Sequence, residues 1–391
     1  MTTDVVLRGT RTPINEAVFT GLLENSVAST YRAYDRALQT SSISFEDLIF
    51  LSRKGDIPYV LFFAPLPVVE TQIQMKTDKL LSGLSKTTFS VNSRNQVHLS
   101  DIELIVKDLL RKQTLLKTHD KSLKPNRIVG LLSRPGRAIE DDAKKLMDAL
   151  GLSHDAIRSA QNKKDALELL ISKLESNQVL VSRSVQHFMP QRLIGPKFSG
   201  LTIRDSKVPY IFLAGGDHGD YQEPTGRMIF TLALMSVLVA RRIFAPVTYD
   251  ASSPGSEVGR EYDIVGAMLM PKQALQAVPL ETLDEVKAAA DEFKVTPSAL
   301  TVRARRLSMI GPDTATSHLN ELQREFGQHP KSQARQPKAV NAVRKYNGRE
   351  FSRRMLDVLD TGRISKREFC RVVCLRHIRP SQINDFREAV R

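Results

Sequence analysis

The sequence predicts an α+β fold, mostly helical, with one small sheet held among helices. Three observations lead there. The stretch Arg227–Ala240 carries no charge from Met228 onward and has apolar residues on almost every turn. A bilayer span takes about 20 residues, so this shorter stretch reads as one helix buried in a core. Helical periodicity dominates on both sides of it. Between the helical segments stand three short runs rich in β-branched and aromatic residues, at 179–185, 198–203 and 208–213, which supply the strands.

Taken in order, residues 1–66 read as a small helical unit. Its helices are Ile14–Leu23, behind Pro13, then Ser26–Leu38, then Ser44–Ser52 with Ser44 as N-cap. Ile57–Pro65 closes the unit, and Ala64–Pro67 is a stiff exit. The second helix offers Ser29, Thr30, Arg32 and Arg36 on a polar face. Such side chains suit a major groove, and they equally suit an ordinary surface helix. Residues 67–124 connect: Gly83–Gln96 is polar and reads as loop, and Asp101–Lys117 is amphipathic with Ser100 as cap.

Residues 125–312 hold the mixed core. Helices Ile139–Leu150, stopped by Gly151, and Asp165–Glu175 precede the three strands and the apolar helix. Ala214–Asp220 is glycine-rich and contains Asp217 and His218, but it lacks the Lys-Ser/Thr of a phosphate loop and reads as a plain turn. A helix Ser256–Met270 ends at Pro271, and Thr282–Phe293 and Ser298–Leu307 pair around a tight turn. Residues 313–338 read as a basic linker. Residues 339–391 form a last helical unit: Gly348–Leu359, a helix begun by the Ser365–Glu368 capping box and ending near Leu375, and a third from Pro380.

The chain is 41% hydrophobic, which argues against general disorder, and its formal net charge is +14. Eight basic residues against one acidic residue lie between Lys331 and Arg354. That imbalance points to a polyanion, nucleic acid first, with a solvated linker as the alternative. The candidate nucleic-acid contacts are Arg344, Lys345, Arg349, Arg353 and Arg354, joined by the groove-type side chains Ser381, Gln382, Asn384 and Arg387. Cys370 and Cys374 stand four apart, poorly placed for a disulfide, and read as core-facing. Met1–Asp4 has no charged-then-apolar leader, so a cytoplasmic location is expected.

A zinc-peptidase helix needs two imidazoles at i and i+4 and a glutamate beside the first. No two of the eight histidines stand four or fewer residues apart. There is no Gly-x-Ser-x-Gly, and neither cysteine has a catalytic setting readable from sequence. The expectation is a non-enzyme without metal or cofactor.

Three segments carry a family resemblance. Arg227-Met228-Ile229-Phe230-Thr231-Leu232-Ala233 is similar to the lead-in to the zinc helix of the ImmA/IrrE metallopeptidase family. Gly266-Ala267-Met268-Leu269-Met270-Pro271 resembles that family's Ala-Glu-Leu-Leu-Met-Pro helix end, and Phe293–Leu300 with Arg303 and Leu307 its Phe-Gly-Val-Ser-x-x-Ala-Leu segment. The strand Val208–Phe212 resembles the one preceding the zinc helix. Ile57–Pro65, Lys112-Gln113 and Gly348–Ile383 extend the likeness to fusions with an Xre-type helix-turn-helix head.

The departures fall on the chemistry. Leu234 and Leu238 occupy the histidine positions and Met235 the glutamate position; Arg260 stands where the third ligand is due. The resemblance therefore implies a zincin-like, metal-free pseudo-peptidase core over 125–312. A truncated Xre-like unit precedes it over 1–66, and a helix-turn-helix-like unit follows over 339–391. It implies a DNA-binding transcriptional regulator of bacterial or phage origin, acting on DNA, in a form that includes a homodimer and involves no membrane. The alternatives are an antitoxin or protein-binding module that neutralises a partner toxin, and a metallopeptidase with an unrecognised site.

Overall fold

A computed structural model describes residues 2–24, 26–81, 89–91, 99–191, 193, 198–215, 223–249, 259–328 and 337–391. Within them the chain is α+β and mostly helical, with two small mixed sheets.

The first sheet corrects the reading of residues 1–66 as helical. Strands β1 (Thr2–Leu7) and β2 (Thr10–Asn15) form an antiparallel hairpin. Its turn is Arg8-Gly9, both at positive φ, the backbone twist a two-residue hairpin requires. Pro13 sits in β2, an edge strand, where a missing N–H costs little. Helix α1 (Glu16–Glu24) follows. The expected helix over 26–38 is broken: Val27–Thr30 is a 3-10 turn, Tyr31 is extended, and α2 begins afterwards (Arg32–Thr40). Strand β3 (Ser42–Ser44) pairs parallel with β1. Ser44 then caps α3 (Phe45–Lys54), its hydroxyl accepting from the Asp47 N–H. The unit has its own core, including Val5, Ile14, Phe19, Leu48 and Phe62. The exit is not stiff extended chain: Leu66 starts helix α4 (Leu66–Leu81).

The second sheet is built from β4 (Phe89–Val91) and, after helices α5 (Leu99–His119), α6 (Ile139–Leu150), α7 (His154–Arg158) and α8 (Lys163–Ser176), from β5 (Leu180–Arg183), β6 (Phe198–Ile203) and β7 (Tyr210–Leu213). The apolar stretch is helix α9 (Thr225–Ala240), and β8 (Pro246–Tyr249) completes the sheet. The strand order is β4-β8-β6-β7-β5, with β6 antiparallel to both neighbours and the two outer pairs parallel. Helix α5 begins at Leu99, so Ser100 lies inside it and is not its cap. Gly151 adopts φ 66° and stops α6 as expected.

Then come α10 (Arg260–Leu269), α11 (Lys272–Leu275), α12 (Leu283–Glu292) and α13 (Pro297–Arg306). Most of 313–338 is not linker: α14 (Pro312–Gln328) buries Ala315, His318 and Leu322 at helical spacing. The last helices are α15 (Ala339–Asn347), α16 (Arg349–Asp360), α17 (Lys366–Val372) and α18 (Ile383–Val390). Gly216–Asp220, Ser256–Val258, Lys331 and Arg335, singled out above, lie outside the described residues, as does most of Gly83–Gln96.

The sheet divides two apolar layers. On one face α8 and α9 pack against the strands, and α6, α10, α12 and α13 belong to the same core. The other packs against α5 and the helices of 339–391. The C-terminal segment is therefore not a flanking unit with a core of its own. Its side chains Tyr346, Phe351, Phe369 and Phe386 share a core with Ile105, Leu109, Leu201 and Tyr210. No helix among the described residues is long and apolar enough to cross a membrane.

Candidate functional site

Helix α9 touches β6 and β7 on one side and α8 and α10 on the other. Leu234, Met235 and Leu238 are each at most 1% exposed. Met235 faces the sheet: its Sδ lies 2.9 Å from where a Cβ on Gly200 of β6 would stand. Arg260 opens α10 and binds elsewhere. Its Nη2 is 2.7 Å from Asp142 Oδ2 and 2.9 Å from the Gly136 carbonyl. These four positions carry packing atoms or an ion pair and no ligating groups. Among the described residues, no group of three or more His, Cys, Asp or Glu is placed to hold a metal ion.

The basic residues fare differently. Strand β5 is an edge strand, and the corner between α15 and α16 folds onto it. The Ser182 hydroxyl of β5 donates to the Tyr346 carbonyl. Gly348, at φ 84°, makes the corner; a Cβ there would stand 2.5 Å from both the Val181 carbonyl oxygen and Glu175 Oε1. Helix α8 supports β5 from the opposite layer, so the two layers meet along this edge. Between them opens a cleft of about 440 Å³. Arg344, Lys345, Arg349, Arg353 and Arg387, all expected to contact nucleic acid, line it. So do Arg183 and Arg391.

The cations are not equally free. Arg353 pairs with Glu350 at 2.7 Å and Asp357 at 3.0 Å. Arg387 grips both oxygens of Asp360, at 2.6 and 2.7 Å, and Arg183 pairs with Glu168. Arg344 donates to the Ala389 carbonyl and faces no carboxylate in an ion pair among the described residues. Burial, then the charges of Arg349 and Arg183, lowers its pKa, which marks like charges crowding there. Arg349 is exposed and makes no hydrogen bond or ion pair among the described residues. Glu175, which also lines the cleft, is 5% exposed. Its Oε2 accepts from the Glu350 N–H at 3.2 Å, and its Oε1 has no hydrogen-bond partner. Burial raises its pKa from 4.5 to about 7.

The remaining expected residues lie elsewhere. Arg354 turns to Asp120 and Glu350. Ser381 and Asn384 are exposed outside the cleft, and the Gln382 side-chain oxygen accepts from the Arg379 N–H. At the other end, Ser29 and Thr30 sit in the 3-10 turn, with the Ser29 hydroxyl donating to Ser26 O. Arg32 and Arg36 are exposed on α2, beyond the break at Tyr31, so the four do not share one recognition helix. Sequence reasoning missed Arg183 and Glu175. They come from β5 and α8, more than 160 residues away in the chain from the α15–α16 corner, and no local pattern announces them. Gly348 had a signal, a glycine between two helical patterns.

No protein-family model, curated protein or solved structure matches the chain.

Proposed function

We propose that this protein is a non-enzymatic DNA-binding regulator whose core resembles an ImmA/IrrE peptidase domain emptied of its zinc ligands. The observation that carries the DNA reading is the gathering of Arg183, Arg344, Lys345, Arg349, Arg353, Arg387 and Arg391 around one edge of the sheet, in a chain of net charge +14. Cations so concentrated attract a polyanion and release its counterions on binding. The pseudo-peptidase part is supported by Leu234, Met235 and Leu238, which are apolar and buried where the resemblance puts His-Glu-x-x-His.

Fluorescence anisotropy with a duplex from upstream of the protein's own gene tests the reading. Binding should weaken steeply from 50 to 200 mM salt, roughly as the 0.9 power of salt per phosphate contacted. Arg349→Ala should make the slope shallower by about one contact. Absence of binding at low salt and micromolar protein would sink the proposal.

A second reading, a module that binds a partner protein, is favoured by one observation. Phe50, Tyr59, Val60 and Phe63 are each at least 40% exposed on the N-terminal unit. Co-purification with the product of a neighbouring gene, lost on Val60→Asp, would support it.

A further inference from the structure

The cleft at the β5 edge has features that a DNA-binding surface does not need. It is a concavity of about 440 Å³, within the range of about 300–1,000 Å³ that small-molecule sites occupy. Its acidic rim residues are used up internally: Glu350 and Asp357 by Arg353, and Glu168 by Arg183. What remains unneutralised is positive. Arg349 has no partner among the described residues, and Arg344 holds only a backbone carbonyl.

A second observation is independent of the surface charge. Glu175 is 5% exposed, lines the cleft, and leaves Oε1 without a partner, an arrangement that is costly unless a ligand or a proton completes it. Its other oxygen is already held by the Glu350 N–H, and a proton on Oε1 makes the carboxyl a hydrogen-bond donor instead of a buried anion. The available donors come from two elements: Arg344 on α15 and Arg349 on α16. Two guanidinium donors on separate helices suit a phosphate, whose several oxygens accept from more than one side.

We propose that the cleft between β5, α8 and the α15–α16 corner is a binding site for a small phosphorylated ligand, with Arg349 and Arg344 holding the phosphate beside the buried Glu175. The site lies where the two layers of the fold meet along one strand. The proposal does not require that the chain bind DNA.

Calorimetric titration of the full chain with sodium pyrophosphate, without DNA, in 50 mM sodium chloride, tests it. One saturable site is expected. Arg349→Ala should weaken it at least about tenfold, the worth of one lost charge-assisted hydrogen bond, while Arg349→Lys should recover part of the loss. Arg371→Ala, on an exposed arginine of α17 outside the cleft, should leave it unchanged. Arg349 is exposed and unpaired among the described residues, so its removal leaves the fold intact, as a matching thermal midpoint would verify. No saturable heat, or equal weakening by Arg349→Ala and Arg371→Ala, overturns the proposal. DNA binding that persists while pyrophosphate fails would assign the cleft to the DNA surface alone.

Discussion

The two faces of the five-stranded sheet solve burial in different ways. The face under α9 is dry: from Leu232 to Leu238 every side chain except the Ser236 hydroxyl is apolar, and that hydroxyl is satisfied by the Ala233 carbonyl. The opposite face buries a charged network. The Lys112 ammonium, on α5, lies 3.2 Å from Asp108 Oδ2 and 3.8 Å above the Tyr346 ring centroid. The Tyr346 hydroxyl donates to the same carboxylate at 2.8 Å, and Arg111 closes on its other oxygen. Burial alone would raise the Asp108 carboxyl; Lys112 and then Arg111 outweigh it and hold it below its usual range. Burial pushes Lys112 down to about 8, so both remain charged at neutral pH. An apolar layer accepts many arrangements of similar volume, whereas a buried ion pair accepts few. The polar face thus fixes where α15 sits on α5, and with it the corner at Gly348 and the cleft.

Five substitutions, one of them only in a double variant, test that contrast. The largest effect is expected on the polar face. Asp108→Ala leaves Lys112 buried beside Arg111 and should cost about 3–5 kcal/mol in urea unfolding. The double variant Asp108→Ala, Lys112→Met should recover much of it; no recovery would mean the pair is not coupled. On the dry face, Leu238→Ala opens a cavity and should cost about 3 kcal/mol, with no second change in α5 or α15 able to restore it.

Where the faces meet, Glu175 makes stability depend on pH. Its folded pKa, about 7, lies above the unfolded value near 4.5, so the folded state holds the extra proton between those values. Stability is lost as pH rises through that window, up to about 3 kcal/mol in all. Glu175→Gln cannot ionise, so its advantage over the native chain should grow by about that amount from pH 4.5 to pH 8, and denaturation at both pH values measures it. A pH-independent difference would place the proton elsewhere. The smallest effect is at the corner: Gly348→Ala puts a Cβ at positive φ against the Val181 carbonyl and should cost about 1–3 kcal/mol.

Much of the core was legible because it is periodic. Ile139–Leu150, Phe198–Ile203 and the apolar helix are found where pattern places them, and Ser44 and Gly151 cap as their chemistry requires. The hairpin at 2–15 was misread because Thr, Arg and Pro13 mask a two-residue period, and only Val5 and Ile14 turn fully apolar toward the core. Helix 26–38 failed at Tyr31, where the backbone is extended although the side-chain pattern on either side is helical. Of the cleft, the cations on α15 and α16 were legible as a charge run. That Asp120 holds Arg354 and Asp360 holds Arg387 was not, since those acids reach them through the fold, whereas the partners of Arg353 lie on its own helix.

By itself the sequence determined the α+β class, the buried helix at 227–240, the lack of any two histidines within four residues of each other and the basic C-terminal segment. Each is a property of residue type and spacing along one stretch of chain. Only the tertiary structure decided that residues 339–391 cover the second face of the sheet, and that Glu175 and Arg183 complete a cleft with the α15–α16 corner. Those contacts join residues far apart in the chain, and their partners are chosen by packing, which no local period encodes.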